Sequence, residues 1–135
     1  MAHQITPQEA ARELLRRDEA LTSIRAFAQY IRPSFIDDVA HDPAEHHELL
    51  IAELEILAAG DRLLICLPPG SAKSTWAGVI YVCWLLAKNP KLQILCCSHS
   101  ESLAEEFNRR RRRICQSREW ELLSGCSLDP NASGL

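Results

Sequence analysis

The chain carries no excess of positive charge. Fifteen Lys and Arg stand against eighteen Asp and Glu, a net charge of −3, so the overall balance gives no reason to expect nucleic-acid binding. The basic residues are unevenly spread, however, because five arginines run consecutively from Arg109 to Arg113. The six cysteines contain no C-x-x-C pair, which argues against a zinc site. Cys66, Cys83, Cys96 and Cys97 lie inside apolar runs, where a free thiol behaves as a small hydrophobe. The opening residues hold no apolar h-region of the secretory kind. Reduced thiols in a cytoplasmic protein are therefore expected. The apolar stretch Trp76–Ala87 falls short of the ~20 residues that span a bilayer, and no membrane partner is expected. There is no internal repeat, and no low-complexity tract beyond the arginine run.

At 135 residues with 47% apolar content, the chain has the size and composition of one modest globular domain. Thr6-Pro7-Gln8-Glu9 reads as a capping box with proline at the first helical position, opening a helix to about Arg17. A second helix is expected over 19–31, where Leu21, Ile24, Phe27, Ala28 and Ile31 recur at helical spacing. Arg32-Pro33 ends it, and a linker follows to residue 42. Asp42-Pro43-Ala44-Glu45 reads as another capping box, opening a helix over 46–59 with Leu49, Leu50, Glu53, Leu54 and Leu57 in register and Gly60 as its stop. Ser98-His99-Ser100-Glu101 caps a long helix with Leu103, Phe107 and Ile114 on one face. After about Glu121 the periodicity fades. This gives a helical N-terminal segment (1–41), a central domain (42–123) and a loop-like tail (124–135).

The most informative stretch runs from Asp61 to Thr75. Leu63-Leu64-Ile65-Cys66-Leu67 is short and continuously apolar, as a buried strand would be, and Pro68-Pro69-Gly70 stops it. Lys73-Ser74-Thr75 then opens an apolar helix over 76–88. Strand, tight loop, Lys-Ser and helix is the layout of a phosphate-binding P-loop. Inward-facing backbone N–H groups at a helix N-terminus offer donors and a positive dipole end to a polyphosphate. Lys73 would sit on the β- and γ-phosphates, and the Ser74 hydroxyl would ligate Mg²⁺. Gly70 lets the backbone turn. Both glycines of G-x-x-x-x-G-K-[ST] are missing, since Leu67 and Ala72 stand in their places. The plainer reading is a Pro-Gly turn before an ordinary helix with a surface lysine. A second apolar run, Leu92 to Cys97, completes strand–helix–strand–helix order. That order implies an α/β fold with parallel strands at about 62–67 and 92–97.

Several residues together carry a family resemblance. They are His46-His47 before Leu49-Leu50, then Gly60 and Arg62-Leu63-Leu64-Ile65. Pro68-Pro69-Gly70-Ser71-Ala72-Lys73-Ser74-Thr75 follows, and Ser98-His99-Ser100 precedes the arginine-ended helix. The stretch, roughly 40–118, resembles the N-terminal ATPase region of the large terminase subunit of tailed bacteriophages. The resemblance implies an ATP- and Mg²⁺-dependent motor that drives double-stranded viral DNA into a procapsid in the host cytoplasm. It also implies a portal protein and a small terminase subunit as partners, and a homo-oligomeric ring when complete. Carried onto this chain, Gly70, Ser71, Ala72, Lys73, Ser74 and Thr75 bind the nucleotide, Lys73 acts on the phosphates and Ser74 on the metal. His47 falls where related motors place an adenine-contacting side chain, although an exposed helix histidine fits the position equally.

The departures are as informative. Hydrolysis needs an Asp for Mg²⁺ and a Glu for water after a later strand, and no such pair is present; nuclease carboxylates are absent too. A fragment that binds ATP and hardly hydrolyses it is expected. In the family the strand bearing the acid lies between the two recognised here, so a gap with exposed edges, and marginal stability or association, is expected. Other readings are a helicase-like or AAA-type ATPase, and an interaction module with a vestigial loop. Arg109–Arg113 is expected to be mainly solvated or acid-paired, with DNA contact or an arginine offered to a neighbouring subunit as the sharper alternatives. His99 is read as a neighbour of the helix cap, and Trp76, Tyr81 and Trp84 as core.

Overall fold

The computed structural model describes residues 6–34 and 43–129. Helix α1 (Pro7–Thr22) begins as its sequence dictates. Thr6 Oγ1 accepts from the Glu9 N–H, and Glu9 Oε2 accepts from the Thr6 N–H at 2.8 Å, satisfying two otherwise orphan donors. The helix runs past the expected end at Arg17. Ser23 stops it in extended backbone, and the Ser23 side chain caps α2 (Ile24–Tyr30). A 3₁₀ turn (Arg32–Ser34) follows. Helix α3 spans Glu45–Glu55. Asp42, the expected cap, lies outside the described residues. Instead, His47 Nδ1 accepts from the Ala44 N–H at 3.1 Å. Leu50, Ile51 and Leu54 face inward while Leu49 faces out.

Helix α4 (Lys73–Thr75), a π-helical turn (Trp76–Ile80) and α5 (Tyr81–Lys88) run head to tail as one rod. Helix α6 (Glu101–Cys115) is capped by Ser100, and α7 (Arg118–Ser124) by Ser117. The rod is the centre of the molecule. Trp76, Val79 and Cys83 from the rod are fully buried with Ile24, Phe27 and Ile31 from the α2 region and Ile114 from α6. Each such large apolar side chain contributes about 1.5–3 kcal/mol on burial. Two indole N–H groups fasten other helices to the rod. Trp84 Nε1 donates to the Ala20 carbonyl and Trp120 Nε1 to the Cys83 carbonyl, both at 3.1 Å. Their bodies add apolar area while their polar atoms stay paired, which keeps burial of the N–H from being a penalty.

The structure corrects the expected fold class. Among the described residues there is no strand, and the chain is helical rather than α/β with parallel strands at about 62–67 and 92–97. Both segments are extended but lie in no hydrogen-bonded ladder. Leu63, Ile65 and Leu67 rest against the helical core, while Leu64 between them is 88% exposed. In the second segment Leu95 is 89% exposed and Ile94 is half-buried. A strand needs a second backbone about 4.8 Å away to take up its N–H and C=O groups. An apolar run supplies side chains for a sheet face, not that neighbour. No helix among the described residues is long and apolar enough to cross a membrane.

Candidate functional site

The site is built where the first extended segment meets the rod. Pro68 and Pro69 cannot donate to a ladder, and the backbone folds back at once, with the Ser71 N–H donating to the Pro68 carbonyl at 3.3 Å. Gly70 has φ +81° and Ala72 φ +53°, the latter being the non-glycine residue of positive φ among those described. Two left-handed residues, one before and one after Ser71, curl the chain into a concave turn. Turns of this kind collect N–H groups on one side. The amides of Gly70, Ala72, Lys73 and Ser74 enter no hydrogen bond with the described residues, and the last two begin a helix, where a partial positive charge collects.

Lys73 folds back over the turn. Its Nζ donates to the Leu67 carbonyl at 3.0 Å and to the Pro68 carbonyl at 3.4 Å. The ammonium is thus held by two backbone carbonyls at the start of the turn, acceptors whose place an anion can take. Ser74 is exposed on the same first turn. Ser71 Oγ is buried and has no hydrogen-bond partner among the described residues, an unsatisfied group of the sort that a bound ligand relieves. Thr75 differs from its neighbours. It is buried, and its Oγ1 accepts from Arg110 Nη2 at 3.1 Å, so it faces the helices.

His47 reaches the turn from α3. Its Nδ1 accepts from Ala44, so its Nε2 carries the proton and donates to the Ser71 carbonyl at 2.9 Å. Both ring nitrogens are engaged within the chain. Its ring also lies 5.7 Å from that of Trp76 and 4.0 Å from that of His46. A cleft of about 480 Å³ opens between these two histidines and the backbone from Leu67 to Ser71. The structure therefore brings His47, Gly70, Ser71, Ala72, Lys73 and Ser74 together, and turns Thr75 away from them.

The arginine run contributes what sequence reading missed. Arg109 and Arg113 are exposed, but Arg110 holds Thr75, and Arg111 Nη1 donates to the Gly78 carbonyl at 2.8 Å. Two guanidinium groups are thus fixed on the rod that starts at Lys73. The signal was available. Phe107 and Ile114 share a face of α6, and positions 110 and 111 fall between them on that face. His99 is exposed near the cap of α6. Trp76 and Trp84 are core residues and Tyr81 is half-buried against the core. Among the described residues, no group of three or more His, Cys, Asp or Glu is placed to hold a metal ion. No protein-family model, no curated protein and no solved structure matches the chain.

Proposed function

We propose that the turn from Pro68 to Ser74 binds the phosphates of ATP–Mg²⁺, as part of the large subunit of a viral DNA-packaging terminase. The observation that carries the reading is the conjunction at one helix start of four uncommitted amides, a buried unpaired Ser71 hydroxyl and the Lys73 ammonium. These groups fit a polyphosphate: many donors, one mobile cation and no carboxylate in the turn. Gly70, Ala72, Lys73 and Ser74 would hold the phosphate oxygens through their N–H groups, and Lys73 would exchange its two carbonyls for phosphate. Mg²⁺ would arrive with the nucleotide, keeping phosphate and water ligands and taking the Ser74 hydroxyl from the protein. His47 would keep the turn in shape, and a nucleobase has room in the cleft beside it. The terminase assignment rests on the residues from Pro68 to Thr75 and their flanks. Double-stranded viral DNA, a portal protein, a small terminase subunit and a ring of like subunits are the partners it brings.

Calorimetric titration with ATP–Mg²⁺ tests the reading. Saturable binding that Lys73→Ala weakens at least tenfold, and that excess inorganic polyphosphate displaces, is the expected result. Turnover is expected to be negligible, because no Asp for Mg²⁺ followed by a Glu for water stands at the end of a later apolar run. A chain that binds no nucleotide, or binds it equally well without Lys73, overturns the reading and leaves an interaction module. Robust hydrolysis abolished by Lys73→Ala overturns the expectation of a catalytically incomplete chain.

A further inference from the structure

Away from the turn, two buried thiols touch. Cys83 on α5 is fully buried and Cys115 at the end of α6 is 8% exposed. Cys115 Sγ–H donates to Cys83 Sγ at 3.9 Å, and Cys83 Sγ–H donates to the Arg111 carbonyl at 3.8 Å. The other four cysteines are exposed. Bonding the pair at ~2.05 Å needs a closure of roughly 2 Å from the observed separation.

The contact is not sealed from small molecules. A cavity of about 640 Å³ lies between α5, α6 and the extended segment from Leu92, and Cys115 forms part of its wall while Cys83 does not. Arg111 and Arg112 line the same space, so a thiolate formed there faces positive charge. The contact with Cys83, and then the nearby Arg111 guanidinium, hold the Cys115 thiol below its ordinary value against the opposing effect of burial. The interaction with Cys115, and then burial, push the Cys83 thiol well above it. The two sulfurs therefore have different parts to play: one is reachable and ionises first, the other is hidden and waits.

We propose that Cys83 and Cys115 are an oxidisable pair, in which Cys115 reacts first with a small-molecule disulfide admitted by the cavity and Cys83 resolves the product. In the first step the Cys115 thiolate attacks RSSR, giving Cys115–S–S–R and releasing RS⁻. Cys83 then loses its proton and attacks Cys115 Sγ, and the second RS⁻ leaves. Two protein thiols are oxidised to one disulfide, RSSR is reduced to two RSH, and the thiol protons pass to the leaving groups. The bridge ties the rod that begins at Lys73 to α6, the helix whose Arg110 and Arg111 already grip it. It is independent of nucleotide binding, and so is its test.

Oxidised glutathione and the full-length chain suffice for that test, with non-reducing tryptic mapping by mass spectrometry. Cleavage after Lys73, Lys88, Arg113 and Arg118 puts Cys83 in the peptide 74–88 and Cys115 in 114–118. These two peptides are expected to be joined, and dithiothreitol is expected to separate them. Cys83→Ser is expected to stop the reaction at a glutathione adduct on Cys115, and Cys115→Ser to leave Cys83 unmodified. Should either variant fail to fold, the map of the unsubstituted chain still decides. A bridge from Cys115 to Cys96, whose side chain lines the same cavity, or adducts confined to the four exposed cysteines, overturns the pairing.

Discussion

Ala72 stands where a phosphate-binding turn ordinarily has glycine, and its φ of +53° explains both the lack and its consequence. A Cβ in the left-handed region is tolerated but strained, by an amount on the order of 1–3 kcal/mol. Alanine limits the unfolded chain more than glycine does, which returns about 0.5–1 kcal/mol. Ala72→Gly is therefore expected to stabilise the protein by about 1 kcal/mol in urea unfolding, with phosphate affinity unchanged or raised. A loss of stability of the same size would mean that residue 72 relaxes out of the left-handed region. The missing glycine made the motif hard to read in the sequence, since the pattern names a residue type while the chemistry asks only for a backbone angle. His47 shows the reverse. The resemblance put it at a nucleotide-contacting position and the helix pattern fitted an exposed histidine equally; that its two nitrogens are spent on Ala44 and Ser71 was not legible, because tautomer and partners are properties of the folded neighbourhood.

At the level of elements, helices and extended segments behaved differently. Helix starts at Thr6 and Ser100 were legible because a cap is a local bond between residues three apart. The breaks at Ser23 and Ser117 were not, since a serine within a periodic run looks like any polar position until its side chain turns to cap the next helix. The segments 62–67 and 92–97 misled for a different reason. Leu63, Ile65 and Leu67 are half-buried while Leu64 and Cys66 between them are exposed, so the run is not the buried strand its continuous apolarity suggests, and a sheet is completed by a neighbour the run does not encode. Leu64→Lys and Leu95→Lys are expected to change stability by no more than about 0.5 kcal/mol, because both side chains are almost wholly in water. Ile114→Ala, from the sealed centre of the core, is expected to cost about 2–5 kcal/mol. Chemical denaturation separates the two cases. A penalty above 2 kcal/mol for either lysine would show that these segments are covered in solution.

On the scale of the whole molecule, the candidate turn is not an appendage. It is the free end of the rod whose Trp76, Val79 and Cys83 are the centre of the core, and α3 and α6 hold that end through His47 and Arg110. A ligand gripping the amides of Lys73 and Ser74 therefore braces the rod on which the other helices pack. Binding to the folded state alone adds about 1.4 kcal/mol at tenfold excess over Kd. For 135 residues that corresponds to a rise in Tm of roughly 4–8 °C. Calorimetric scans with and without ATP–Mg²⁺ should show this rise in the unsubstituted chain and less than about a third of it in Lys73→Ala. Amide exchange adds the spatial half of the prediction, because protection should extend beyond the turn through Trp76 into α5. Protection restricted to residues 68–74 would mean that the turn opens and closes independently of the core, and would detach the proposed nucleotide site from the stability of the fold.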